Sequence, residues 1–167
     1  DVVKGGAIPG VFMASVEKGV LQALADGVVA GFPLQDLRVT VYDGKTHAVD
    51  GKDIAFVSAG RKATIDAVLK AGPIVLEPLV NIEVLAPEQA IGDLTGDLAS
   101  RRGQVTGTQP RADGTVAISG LIPLAELGEY QGRLKSLTGG KGSYSITFSH
   151  YAQVPAQTQQ HLASHFK

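Results

Sequence analysis

Cysteine is absent from the 167 residues, aromatic residues supply only 5%, and no apolar run approaches the length of a membrane span. Without cysteine there is no disulfide framework, which fits a reducing cytoplasm. No charged segment followed by an apolar one reads as a signal peptide, so the chain is expected to be soluble and cytoplasmic, with no membrane partner. Few aromatics leave few stacking platforms for bases. The formal net charge of −1 excludes a grip on nucleic acid by bulk charge. No DNA partner is expected, and any RNA contact has to come from local basic clusters and shape. The P-loop pattern G-x-x-x-x-G-K-S/T does not occur, which excludes nucleotide binding by that mechanism, and no Ser sits in a nucleophile-elbow pattern.

What the chain does have is periodicity. At 44% hydrophobic and 19% charged it is long enough for two small domains. A helix is predicted from about Pro9 to Asp26, with Met13, Val16, Val20 and Leu24 as its core face and Gly27 as its stop. Leu37, Val39 and Val41 alternate with polar neighbours and predict a strand. The polar loop after Tyr42 runs to Asp50, which can cap a helix reaching Gly72. In that helix Ile54, Val57, Ile65, Val68 and Leu69 form the apolar side. An alanine row at 55, 59, 63 and 67 suits close packing on a sheet. Pro73 ends the helix and Ile74 to Leu76 is a strand.

Glu77-Pro78 is the domain boundary, since the residue before proline is held extended and a new alternation starts there. Val80, Ile82 and Val84 form a strand. Pro87 to Arg111, PEQAIGDLTGDLASRRGQVTGTQPR, then predicts a helix begun by Pro87, a stop at Gly103 as the left-handed residue, and a strand. Ala90, Ile91, Leu94 and Leu98 share one helix face, while Asp93, Asp97 and Arg101 form a salt-bridged row on another. Arg101 and Arg102 suit the last turn. Gly92 and Gly96 each cost a helix about 1 kcal/mol against Ala, which asks for a reason: close packing on the sheet, or something large lying against the helix. A turn ending in Asp113-Gly114 leads into Val116, Ile118 and Ile122. Pro123 starts a helix with Leu127, Tyr130, Leu134 and Leu137 on one face, closed by Gly139-Gly140. The last strand puts Tyr144, Ile146, Phe148 and His150 on one side. The order βαββαβ predicts an antiparallel ferredoxin-like sheet with both helices on one face. Ala156 to Lys167 is a short helix, marginal alone.

Chemistry is sparse. Of the four histidines, 47, 150, 161 and 165, only His161 and His165 at i, i+4 could pair on a metal. With no third ligand nearby they read as an incidental tail pair, so no metal site and no catalytic residue are assigned. A stand-alone ferredoxin-like module that binds a small ligand is one reading of such a chain.

The other reading comes from resemblance. GDLTGDLASRRGQVTG and IPLAELGEYQGRLKSLTGGKGSYSITFSHYAQVP resemble the last globular domain of bacterial elongation factor G, the translocation GTPase. GGAIPGVFMASVEKGV from Gly5 and AGFPLQDLRVTVYDG from Ala30 resemble its fourth domain. The resemblance implies two small α/β-sandwich domains: a truncated fourth domain over 1–77, similar to ribosomal protein S5 domain 2, and a ferredoxin-like fifth domain over 78–151. Residues 152–167 would form a helix packing back on the first. It implies a fragment without catalysis of its own, whose parent binds GTP and Mg²⁺ in a preceding domain and promotes translocation. Its partners would be the ribosome, through ribosomal RNA and stalk-base proteins, and tRNA with messenger RNA in the decoding site. Lys45, Thr46 and His47 would form the tip that reaches the decoding site, and Arg101, Arg102 and Arg111 would touch ribosomal RNA. A tetracycline-resistance ribosomal protection protein shares this architecture and stays open.

Overall fold

A computed structural model describes residues 8–46 and 51–166, and the chain divides into two compact units. The first holds the described residues up to Val75 and from Pro155 on; the second is Leu76–Val154.

In the first unit a short 3-10 turn, Gly10–Phe12, leads into α1, Met13–Asp26, and a loop precedes α2, Asp53–Lys70. The two helices meet through small residues. Val16, Gly19, Val20 and Ala23 are buried on α1, and Phe56, Gly60 and Thr64 on α2. Phe12 stacks on Phe56 with ring centres 4.2 Å apart. Polar clasps flank this seam: Ser15 Oγ donates to Asp53 at 2.9 Å, and Arg61 pairs with Asp26 at 3.0 Å.

Several expectations change here. The row at the helix crossing is Phe56, Gly60 and Thr64, one every fourth residue, and the alanine row at 55, 59, 63 and 67 is exposed. Ile54 and Leu69 are exposed as well, at 73% and 54%. No strand forms over residues 37–42; Leu37 and Val39 are about half exposed. Alternation can present an apolar face, but a strand needs a ladder partner, and none stands beside this segment among the described residues. Together with α1 and α2 the segment lines an apolar cleft of about 810 Å³, bounded by Val16, Val39, Val41, Phe56, Ala59 and Ala63. Asp50, the expected cap, lies outside the described residues. Lys52 occupies the N-cap of α2 without a side-chain hydrogen bond.

The second unit is a four-stranded antiparallel sheet in the order β2-β3-β1-β4, with β1 Leu76–Pro87, β2 Gln104–Pro110, β3 Thr115–Pro123 and β4 Ser143–Gln153. Helices α3, Ile91–Ser100, and α4, Tyr130–Thr138, pack on one face. Leu94, Leu98, Tyr130 and Leu134 close on Val80, Ile82, Val84, Ile118 and Ile122, all at 3% exposure or less. Burial of a dozen such side chains at about 1.5 to 3 kcal/mol each makes this the main hydrophobic core of the chain. The ferredoxin-like order is as the hydrophobic pattern predicts.

Boundaries shift for local reasons. Pro87 ends β1 and caps a 3-10 turn, Glu88–Ala90, so α3 starts later than the proline suggests. After Pro123 comes another 3-10 turn, Leu124–Leu127. A left-handed Glu129, φ 60°, separates it from α4. In β4 the ladder slips: Val80 faces Phe148, but Leu79 faces His150, leaving Ser149 as the extra residue of a bulge. Past that bulge the sides exchange. Tyr151, not His150, joins Phe148, and their rings lie 5.4 Å apart.

The chain ends in α5, Ala156–His165, which belongs to the first unit. Gln159 ties it down, accepting from the Val75 N–H at 3.0 Å and donating to the Pro73 carbonyl at 3.1 Å. Among the described residues no helix is long and apolar enough to cross a membrane.

Candidate nucleic-acid interface

The arginines at the end of α3 sit where the backbone turns out of the helix. Arg102 N–H donates to Ala99 O at 3.2 Å and Gly103 N–H to Leu98 O at 2.8 Å, a doubly bonded helix stop. Its left-handed residue is Arg102, with φ 61°, rather than Gly103. Gly103 is required for a different reason. A Cβ there would lie 2.7 Å from the Leu98 carbonyl oxygen and 3.3 Å from Ile122 Cδ1. Both arginines therefore follow the last helical turn instead of lying in it.

Their side chains are turned inward on acidic partners. Arg102 holds Glu77 in a fork, at 2.6 and 2.9 Å, and reaches Glu126 at 2.8 Å. Glu77 is 9% exposed, so the pair fixes the start of β1 to the end of α3. Hydrogen bonding to Glu77 raises the Arg102 pKa above its ordinary value, against some desolvation, with Glu126 adding to it. Arg101 bonds Asp97 at 2.9 Å and the Glu126 carbonyl at 2.8 Å, and its guanidinium lies 5.3 Å from the centre of the Tyr130 ring. Asp97 takes a second bond, at 3.0 Å, from Arg133 on α4. Burial works to raise the Asp97 carboxyl, but the bonds from Arg133 and Arg101 outweigh it and hold it below the usual range. Burial and the nearby Asp97 charge push the Tyr130 hydroxyl up to about 12, and it has no hydrogen-bond partner among the described residues.

Arg111 stands apart, at the far end of β2, roughly 20 Å of strand away at about 3.3 Å per residue. It is half exposed and faces Glu83 across 3.6 Å, a loose surface pair. Its backbone N–H is bonded to Thr115 O at 2.8 Å, and Asp113 accepts from the Thr115 N–H and hydroxyl, so the hairpin turn that carries it is well braced. The three arginines are thus not one patch. Lys45 and Thr46 are exposed in the first unit, and His47 lies outside the described residues.

Gly92 and Gly96 resolve one alternative. Nothing lies within 4 Å of a Cβ built on either, and both are exposed, so packing on the sheet is not what keeps them small. The outer face of α3 is bare backbone flanked by Asp93. Arg133, Glu126 and Gln159 are the contact residues that periodicity misses, because each acts across 25 to 86 positions of sequence. Among the described residues no group of three or more His, Cys, Asp or Glu could hold a metal.

Comparison with known proteins covers both units. Residues 1–84 match the family described as Elongation factor G, domain IV, and residues 74–162 match Elongation factor G C-terminus. The chain is 47% identical over 163 residues to Elongation factor G of Aquifex pyrophilus, covering 98% of this chain and 23% of that protein. A crystal structure of a Thermus thermophilus protein superposes with a TM-score of 0.75 at 38% identity, over 98% of this chain and 24% of the other. The chain therefore spans about a quarter of the length of these relatives, and the match fits two small α+β domains.

Proposed function

Because the chain belongs to the elongation factor G family, matched across both of its units, we propose that it is the ribosome-contacting portion of a translational GTPase that promotes tRNA and messenger RNA translocation. The observation that carries this reading is the continuous match over 98% of the chain. The exposed outer face of α3 agrees with it, since an uncovered glycine face leaves room for a large partner. In this reading the chain is cytoplasmic and does no chemistry itself. GTP and Mg²⁺ belong to another part of the protein, as no P-loop occurs here.

The second unit contacts ribosomal RNA and stalk-base proteins of the large subunit, with Arg111 as the arginine freest to meet a phosphate. Arg101 and Arg102 support that surface from behind their carboxylates and can add positive charge at its edge. The loop Lys45, Thr46 and His47 approaches the tRNA and messenger RNA in the decoding site, where an imidazole can donate to a phosphate or 2′-OH.

The test has two arms. Ribosome co-sedimentation of the chain over a salt series should show weaker binding for Arg111→Ala, with the salt slope reduced by about 1. In the full-length protein His47→Ala should slow translocation while GTP hydrolysis and ribosome binding stay near parental. Translocation at the parental rate would remove the tip from the reading, and no ribosome association in either form would remove the reading itself.

A further inference from the structure

On α5, His161 and His165 occupy successive turns of one helix face, both exposed, with ring centres 4.3 Å apart and 39° between the planes. His165 Nδ1 lies 2.8 Å from the His161 carbonyl oxygen and 3.1 Å from Ser164 Oγ. A carbonyl only accepts, so the proton sits on Nδ1 and the Nε2 lone pair of His165 is free. Metal-bound histidines are held this way, one nitrogen on the ion and the other donating to a carbonyl that fixes tautomer and ring direction. His165 also lies in the last turn of α5, where the helix dipole favours positive charge.

We propose that His161 and His165 form a chelating site for a late first-row divalent cation, of the Ni²⁺, Cu²⁺, Zn²⁺ group. Two imidazoles on adjacent turns select these ions over Mg²⁺ and Ca²⁺, which take oxygen ligands. With metal–nitrogen distances of about 2.0 to 2.1 Å, the ring centres settle near 5 Å apart, a small opening from 4.3 Å that rotation of an exposed His161 ring supplies. Water fills the remaining positions, since no third side chain of the usual ligand types joins the pair among the described residues. Affinity then follows the order of the divalent series, Cu²⁺ tightest. The site is independent of the ribosome reading and is tested without ribosomes.

Calorimetric titration of the chain with CuCl₂ and NiCl₂ at pH 7.5, with MgCl₂ as control, measures it. His161→Ala and His165→Ala are compared with His150→Ala on the exposed β4, and each variant's circular dichroism shows that it is folded. The expected result is one Cu²⁺ or Ni²⁺ per chain, weakened about tenfold or more by either α5 substitution, comparable to the loss of a metal site's outer partners. Binding should also weaken as the solution is made more acidic, because protons compete with the metal for the ring nitrogens. Parental affinity in either α5 variant, an equal loss in His150→Ala, or equal binding of MgCl₂ overturns the site.

Discussion

Gly19 of α1 and Gly60 of α2 mark the point where two helix backbones touch. A Cβ on Gly19 would run into the Val57 carbonyl oxygen and stand 2.8 Å from Arg61 N, and one on Gly60 would stand 2.5 Å from Val16 O. Each obstacle is backbone, which cannot swing aside as a side-chain tip can. Replacement of either glycine by Ala should therefore cost the first unit at least about 2 kcal/mol, the range of an overpacked core. Urea unfolding followed by circular dichroism measures this; a midpoint unmoved in both variants would mean the helices separate freely.

Gly92 and Gly96 should behave in the opposite way. Both face open space on α3, so Ala adds helix propensity without a clash. Each substitution should stabilise the second unit by about 0.5 to 1 kcal/mol. Thermal melting reads the sign directly, and destabilisation by either change would show an uncounted neighbour on that face.

Arg102 and Glu77 should be far more sensitive than Arg111 and Glu83. Removing the Arg102 side chain strands a nearly buried carboxylate and should cost about 2 to 3 kcal/mol, somewhat below a fully buried pair because Arg102 is a third exposed. Arg102→Gly should be milder than Arg102→Ala, since it relieves the left-handed backbone at that residue. Arg111→Ala should stay within about 0.5 kcal/mol, as loose surface pairs do. Equal losses for Arg102→Ala and Arg111→Ala, measured by chemical unfolding, would contradict the assignment of Arg102 as a clasp.

Asp97 predicts an acid limb. Its carboxyl is held below the ordinary value in the fold, so the fold binds that proton less readily than the unfolded chain. The resulting stability is present above the unfolded pKa near 3.8 and is lost as the pH falls through the folded value. Asp97→Asn should lower stability at pH 7 and flatten the decline below pH 4. An unchanged acid limb in that variant would place the titrating group elsewhere.

Hydrogen exchange should separate the two units. Residues 35–40 are exposed and carry no strand, whereas β1 is paired on both sides by β3 and β4. Amides of 35–40 should exchange by local opening, and those of Val80, Ile82 and Val84 only with the global unfolding of the second unit. Comparable protection in both segments would imply a partner for 37–42 in solution.

The sequence by itself determined the elements that local chemistry dictates. The alternation in Val80, Ile82 and Val84, the face of Leu94 and Leu98, and the turn at Asp113-Gly114 suffice for a βαββαβ order, and its side-chain periods survive in the core. Tertiary structure decided what depends on meeting a distant residue. Which α2 row touches α1 was settled by Gly19 and Gly60, where the two backbones approach, and the alanine row, which suits close packing on a sheet, faces the cleft instead. Whether 37–42 becomes a strand depended on a neighbour that alternation cannot specify. The pairing of Arg101 with Asp97 was legible as an i, i+4 row, but the task of Arg102 was decided by Glu77 and Glu126, about 25 residues away. A charge next to a helix end is equally suited to solvent or to a buried carboxylate until the fold brings one beside it.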